Sequence, residues 1–393
     1  MKLITYITSE RELEILINQT SSFENLEIIV GCLELSRYTK TTLNEMLAII
    51  SRAKKKNIHV SLEWDVLNQE NLFLKSIEIL KKIPLHDINS IRLQDPGAIN
   101  YIKTHYSWLK IHLILENGNH NLIGLKRWCE FLGDQCKRII LSNELSKDHL
   151  KEYSTQLDVP IEVQVFGRIL LFYSPRLLLS PLKISHSQVN FLEANGSSEE
   201  SPHSGFPILE NQHGTFMFNV KDLYLLEHLP EISQMGIIHY RVDLRFDDLY
   251  ESHITSIINF FSGKVLESEL KLKLMAVRPF IKGFYNINKT DVLFNKLKNR
   301  LTQRNDNNYV GEVVDVEREK QLTILIKQKH QLKLKDVELK LISPEGKEKI
   351  IKLSWVKNSN FIDIEFANNN DIVIIPIVSG ITVKTQVYLN SNT

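Results

Sequence analysis

Up to residue 244, short runs rich in Val, Ile and Leu alternate with longer segments of helical period, and this alternation constrains the fold more than any other feature of the chain. The runs fall at 2–6, 26–31, 58–63, 90–94, 110–115, 138–142, 161–166 and 239–244. Several are almost continuous in branched apolar residues, as strands buried on both faces are. Between them, 42–56 sets Leu43, Met46, Leu47, Ile49 and Ile50 close to a 3.6-residue period, and 9–18 and 68–82 read the same way. Ser146-Lys147-Asp148 opens a helix over 146–153 with an N-cap signal. Eight strand–helix units predict a TIM-like (βα)8 barrel; an open doubly wound sheet is the alternative that periodicity alone leaves standing.

The alternation breaks between 181 and 216, where Asn195-Gly196-Ser197-Ser198-Glu199-Glu200-Ser201-Pro202 is polar and carries no apolar period. Barrel enzymes place lids and site loops in such insertions after a strand; a plain surface loop is the other reading. From 247 to 304 the pattern is helical, and Asn305-Asp306-Asn307-Asn308 reads as a linker. The period then becomes two, over 310–316, 322–327, 337–342, 348–353, 361–366, 371–376 and 382–389, with turn signals such as Ser343-Pro344-Glu345-Gly346 between them. The expected organisation is a barrel domain over 1–304, with its insertion at about 181–216 and a helical extension at 247–304. A small all-β, barrel-like domain follows over 309–393.

Charge narrows the function. With 48 basic and 47 acidic residues the net charge is +1, so any attraction to nucleic acid or anionic membrane must come from a local patch. One candidate lies within 264–304, where Lys271, Lys273, Arg278, Lys282, Lys289, Lys296, Lys298 and Arg300 outnumber Glu267, Glu269 and Asp291. Phe280, Phe284, Tyr285 and Phe294 are interleaved with them, so Lys282, Lys289, Lys296, Lys298 and Arg300 are the candidate RNA contacts. A solvated basic helix face is the competing reading. No apolar stretch approaches the ~18–20 residues of a membrane span, and the N-terminus lacks the apolar core of a signal peptide. Three cysteines, Cys32, Cys129 and Cys136, fit a reducing cytoplasm rather than a disulfide scaffold. The expected location is cytoplasmic.

The segment Glu162-Val163-Gln164-Val165-Phe166-Gly167-Arg168-Ile169-Leu170-Leu171-Phe172-Tyr173-Ser174-Pro175-Arg176-Leu177-Leu178-Leu179-Ser180 resembles the signature of the peptidase U32 (collagenase-like protease) family. There an E-V-x-V-x-G run leads into two cysteines spaced seven apart and then L-L-S. Gly167, Tyr173-Ser174, Arg176 and Ser180 keep the pattern, while the cysteine positions fall on Leu170 and Leu177. In chain order, Val30-Gly31-Cys32-Leu33-Glu34-Leu35-Ser36-Arg37, Gln94-Asp95-Pro96-Gly97, Asn143-Glu144-Leu145-Ser146, Phe218-Asn219-Val220-Lys221-Asp222-Leu223, Arg241-Val242-Asp243-Leu244-Arg245 and Gly311-Glu312-Val313 resemble further family segments.

The resemblance implies a (βα)8 barrel with a small C-terminal β-domain. It also implies a family classed as peptidases, whose better-understood members carry out oxygen-independent hydroxylation of transfer RNA, ribosomal RNA or a ubiquinone precursor. Some of these hold a four-iron four-sulfur cluster on four cysteines. Leucine cannot ligate iron and this sequence has three cysteines, so no such cofactor is expected here. Ile114-Leu115-Glu116 and Asn143 also replace polar residues of the family pattern. Polar groups nonetheless gather after the expected strands: Glu34, Arg37, Asp95, Glu144, Arg168, Arg176, Asp243 and Arg245 are the candidate catalytic residues. They read equally as Arg–carboxylate pairs bracing a barrel rim. Three functions follow: a cluster-free partner of a cluster-bearing paralogue, or an RNA-binding one; an active enzyme on RNA or a small aromatic acid through the charged rim; or a peptidase, as the family name has it.

Overall fold

The computed structural model describes the chain apart from residues 20–24, 116–120, 183–190, 198–203, 248, 276–277, 287–307, 318, 329, 336, 345 and 391–393. It divides into two units, Met1–Asn288 and Lys289–Thr393. In the first, seven strands pair side by side and parallel in chain order: β1 (Lys2–Tyr6), β2 (Leu26–Val30), β3 (His59–Trp64), β4 (Ser90–Leu93), β5 (Ile111–Leu115), β6 (Cys136–Leu141) and β7 (Ile161–Gly167). Next comes a separate antiparallel sheet of β8 (Leu170–Ser174), β9 (Phe191–Ser197), β10 (Ser204–Asn211) and β11 (Gly214–Phe218), in the order β8-β11-β10-β9. After the short β12 (Asp222–Tyr224), β13 (His239–Asp243) pairs in parallel with both β1 and β7. That double pairing closes an eight-stranded barrel and removes the open-sheet alternative.

Helices α1 (Glu10–Gln19), α2 (Leu43–Lys55), α3 (Glu70–Leu80), α4 (Pro96–His105), α5 (Leu122–Leu132) and α6 (Lys147–Gln156) follow the first six strands. Their starts are fixed by caps: Thr42 and Glu45 form a capping box on α2, and Asp95, Asn121 and Ser146 cap α4, α5 and α6. Helix α7 (Leu229–Gln234) precedes β13, and α8 (Tyr250–Phe261) and α9 (Glu267–Met275) follow it. The helical reading of 247–304 therefore holds as far as Met275; β14 (Phe280–Ile281) then pairs with β12, and 287–307 lies outside the described residues. The polar segment read as a loop is partly strand, because β9 runs through Asn195-Gly196-Ser197. A strand with one solvated face needs little apolar period, and its hydrogen bonds to β10 hold it instead.

The second unit is an antiparallel half-barrel. Its seven-stranded sheet includes Tyr309–Glu317, Gln321–Ile326, Glu338–Ile342, Glu348–Lys352, Ile372–Pro376 and Gln386–Leu389, around a core that includes Val310, Leu322, Ile324, Leu341, Val373, Ile375 and Val387. The strand expected at 361–366 is largely a turn: Phe361 has φ +62°, and only Phe366 enters a strand, Phe366–Ala367.

Along every barrel strand the side chains alternate. Leu26, Ile28 and Val30 of β2, Ile91 and Leu93 of β4, and Val163 and Val165 of β7 face outward into the core beneath the helices. Glu27, Arg92 and Glu162 occupy the opposite, inward register. Of the buried apolar side chains on that inner face, Ile4, Tyr6 and Ile29 form a small cluster of their own. The interior is instead braced by ions. Arg138 donates to both oxygens of Glu27 at 2.8 and 2.9 Å and to Glu162 at 3.1 Å. Glu162 accepts two bonds from Arg92 at 2.9 and 2.7 Å and lies 3.2 Å from Arg241. Arg241 reaches the Tyr6 hydroxyl, which donates to Glu63 at 2.8 Å. Ser61 donates to Glu27 at 2.6 Å, and Lys2 reaches the same carboxylate from the barrel's N-terminal end at 2.7 Å.

One glycine is required by this geometry. Gly167 ends β7 at φ +122°, and a Cβ there would lie 2.3 Å from the Asp243 carbonyl oxygen of β13.

Burial alone would raise the pKa of Glu162, but Arg92, Arg138 and Arg241 reverse this and hold it at about 2; Glu27 is likewise held well below the carboxylate range. A depressed folded pKa supplies stability above the unfolded value and loses it as pH falls through the folded one. Unfolding free energy should therefore fall as pH drops from 4.5 toward 2. Glu162→Gln should reduce stability at neutral pH by about 3–5 kcal/mol, because three guanidiniums lose their shared counter-ion. It should also flatten the acid slope. Urea titrations across that pH range check both.

Candidate functional site

The C-terminal ends of the strands carry a second ring of ion pairs. Arg245, just past β13, is buried and lies flat between two rings, its guanidinium carbon 3.4 Å from the Tyr6 centroid and 4.1 Å from that of Tyr38. It donates to Asp243 at 3.0 and 2.6 Å and lies 3.5 Å from Glu63. Burial would raise the Asp243 pKa, yet the Arg245 charge lowers it below the ordinary value. Glu63 is raised, by burial and by the like charge of Asp65. Arg37, after β2, grips Asp65 through its Nε at 2.9 Å and its backbone N–H at 2.7 Å.

The small sheet packs onto this mouth. Tyr38 contacts Phe216 and Phe218 of β11, with ring centroids 5.4 and 5.6 Å apart, and Asn211 donates to the Arg37 carbonyl at 2.7 Å.

Beside the mouth a cleft opens between the ends of β7 and β13 and the start of α8. It is lined by Phe166, Arg168, Asp222, Asp243, Leu244, Arg245, Phe246, Asp247, His253, Leu274 and Arg278. Asp247 accepts from the Leu249 N–H at 2.9 Å and holds the His253 Nδ1 at 2.6 Å. Arg278 faces Asp222 at 3.3 Å. Arg168 lies over the Phe218 and Phe246 rings at 5.9 and 5.7 Å and donates to the Phe246 carbonyl at 3.2 Å. Burial and the Arg278 cation pull its pKa below the ordinary arginine value.

The residues singled out from sequence separate into groups. Arg37, Asp243 and Arg245 form the buried pairs of the mouth, and Arg168 lines the cleft. Asp95 is a helix cap, accepting from the Ala98 and Asn68 N–H groups. Glu34 lies in the loop after β2; burial, and after it the Glu34 charge, push the Cys32 thiol up to about 12. Glu144 and Arg176 are exposed. Lys282 pairs with Glu227 at 2.5 Å, which Lys271 also reaches at 2.8 Å, so the two lysines share a single carboxylate. Lys289, Lys296, Lys298 and Arg300 lie outside the described residues.

Tyr6, Tyr38, Asp222, Asp247 and His253 are site residues that the sequence reading does not single out. Tyr6 has a signal, since it shares the inward register of β1 with Ile4; the others have none in local pattern.

The donor set does not fit an iron–sulfur cluster. Leu170 packs beside the Tyr38–Phe216–Phe218 cluster and Leu177 is 45% exposed, so neither signature position offers a ligating atom. Cys32 is buried in the main core, and Cys136 opens β6 at the other end of the barrel, with Cys129 of α5 as its neighbour. Among the described residues no three His, Cys, Asp or Glu side chains group to hold a metal ion. The signature loop is fastened by a carboxylate instead: Glu210 accepts from the N–H groups of Leu179 and Ser180 at 2.6 and 2.7 Å, from the Ser180 hydroxyl, and from Thr215 at 2.7 Å.

A family model described as peptidase family U32 matches residues 33–291. The tRNA hydroxylation protein P of Escherichia coli (strain K12) is 23% identical over 263 residues, covering 53% of this chain and 57% of that protein. An uncharacterized protease of Methanocaldococcus jannaschii is 23% identical over 385 residues, covering 90% of this chain and 89% of that one. The solved U32 peptidase Mk0906 aligns with a TM-score of 0.34 and 12% identity, over 43% of this chain and 70% of that chain. The chain spans about half the length of the tRNA hydroxylation proteins it matches.

If the mouth pairs are braces, their loss should register in stability. Asp243→Asn should cost about 3–5 kcal/mol by leaving Arg245 short of its carboxylate, and adding Arg245→Met should recover part of that loss. Urea unfolding of the two single variants and the double variant measures the coupling.

Proposed function

The chain belongs to peptidase family U32, and from that membership we propose that it serves RNA hydroxylation without a cluster of its own, as an RNA-binding paralogue or a partner of a cluster-bearing relative, in the cytoplasm. The observation that carries this reading is the pair Leu170 and Leu177. An apolar side chain packed on aromatic rings and another turned to solvent stand where the family signature has cysteines. The frame around them is kept, including Gly167, whose φ and close approach to Asp243 demand glycine. The relatives named as tRNA hydroxylation proteins support RNA as the target. The basic segment from Lys282 to Arg300 supplies the phosphate contacts in this reading.

A second reading, an active enzyme working through rim residues, is favoured by the Arg168 cleft, where an Asp247–His253 pair and three arginines converge. A His oriented by a carboxylate can move a proton. The peptidase reading draws less support. The Ser174 hydroxyl accepts from the Arg176 N–H and the Ser180 hydroxyl donates to Glu210, so both signature serines are engaged in holding the loop.

Anaerobically purified protein should contain no stoichiometric iron and show no broad charge-transfer absorption; finding either would overturn the cluster-free reading. Gel shifts with transfer RNA should show binding that weakens steeply with salt, and joint neutralisation of Lys296, Lys298 and Arg300 should shallow that dependence. Mass spectrometry of RNA nucleosides from a deletion strain should show a hydroxylated nucleoside lost. If the rim is catalytic, Arg168 and His253 variants will fail to restore that nucleoside while still binding RNA.

A further inference from the structure

We propose that Cys129 and Cys136 are a redox-active thiol pair, which a hydroperoxide converts into a reversible disulfide that clamps the last turn of α5 to the first residue of β6. The backbone brings the two together. Helix α5 closes where the Gly133 N–H bonds back to the Cys129 carbonyl, and a short helical turn, Gly133–Gln135, then returns the Cys136 N–H to the Gly133 carbonyl. Gly133 makes the corner at φ +55°, with open space over it. These successive reversals leave the two thiols as neighbours, both packed on the main core.

The pair is asymmetric. Cys129 is partly exposed on its helix, whereas Cys136 is 5% exposed and fixed by its ladder pairing with Ile111 of β5. The Cys136 thiol beside it holds the Cys129 thiol below its ordinary value, against burial and the charges of Asp158 and Glu130. The same neighbour, and then burial, push the Cys136 thiol up. An accessible thiol that ionises first, beside a sheltered one that stays protonated, supplies the attacking and resolving roles of a dithiol.

The Cys129 thiolate attacks one peroxide oxygen; the O–O bond breaks, the sulfur becomes a sulfenic acid and hydroxide leaves. The Cys136 sulfur then attacks that sulfur and gives its proton to the departing hydroxide, releasing water as the S–S bond forms. The thiols lose two electrons and the peroxide gains them. Cys32 has no part in this, being buried at the other end of the barrel with its thiol raised to about 12 by burial and Glu34. In a reducing compartment such a disulfide is transient and reports oxidant. Its structural consequence follows from β6, which carries Arg138 two residues beyond Cys136. Arg138 joins Glu27 to Glu162 inside the barrel, so oxidation pins the entry of the strand that holds this link and reduction frees it.

The test treats the intact, reduced protein with stoichiometric hydrogen peroxide, then alkylates it under denaturing conditions. Mass spectrometry should show Cys129 and Cys136 protected from alkylation and their fragments joined after cleavage at Glu130, with Cys32 alkylated. Dithiothreitol should return both to alkylation. The oxidised protein should also unfold at higher urea than the reduced one, because the crosslink restricts the unfolded chain. Alkylation of both thiols after peroxide, a disulfide to Cys32 or between two chains, or equal urea midpoints overturns the proposal. Cys136→Ser should leave Cys129 as a sulfenic acid that dimedone traps; a folded variant that dimedone does not label overturns the attacking role of Cys129. The mass and urea measurements are made on the unmodified protein, so the test survives a variant that fails to fold. The inference goes beyond RNA binding: a failed gel shift leaves it standing, and an unreactive thiol pair leaves the RNA reading standing.

Discussion

The structure depends on an ion ladder inside the barrel. Filling a barrel with branched apolar layers needs no partners, but Glu27, Arg92, Arg138, Glu162 and Arg241 are buried, and each of these charges needs an opposite one beside it. The matching ties β2 to β6 and β4 to β7 through side chains, across strands that the backbone ladder does not join, and adds a side-chain tie between β13 and β7 where the barrel closes. Barrel closure and interior charge balance are therefore one requirement. A change to Glu27 or Arg138 touches strands on opposite sides of the barrel.

The same constraint shapes what the mouth can do. Arg245 continues the ladder upward by lying on Tyr6, and the β8–β11 sheet then packs on Tyr38. The axial position, where barrel enzymes commonly hold substrate, is occupied by side chains already satisfied by one another. Arg168, which among the described residues has no carboxylate partner, lies to one side, where the chain leaves β7. Rim residues that look alike in sequence thus divide by geometry: Arg37 and Arg245 are buried in carboxylate pairs at the mouth, and Arg168 lines the cleft against aromatic rings.

The barrel was legible in the sequence because its outward-facing residues are apolar and its helices carry caps; Ser146 caps α6 where the sequence placed it. The polar interior was also written there, in Ser90-Ile91-Arg92-Leu93 and His239-Tyr240-Arg241-Val242-Asp243, but alternation of this kind ordinarily signals a solvated face. Only closure turns that face inward. Pairing between distant segments is a tertiary property: nothing local links Arg168 to Phe246, or Glu210 to Ser180. The strand reading failed at 361–366 because a left-handed residue, Phe361, makes a turn in an otherwise strand-like run. Asp95 shows another limit, since a capping aspartate and a catalytic one look the same before the helix is placed, and the structure places Asp95 at the start of α4.

Glu210 closes the loop that the family signature would fasten with thiolates. Its hydrogen bonds favour the ionised carboxylate and lower its pKa below the ordinary value. A fastening of that kind is read by protons and is indifferent to oxidants. Loosening the signature loop at this point is therefore a matter of protonating Glu210, and no thiol takes part in the hydrogen bonds that hold it.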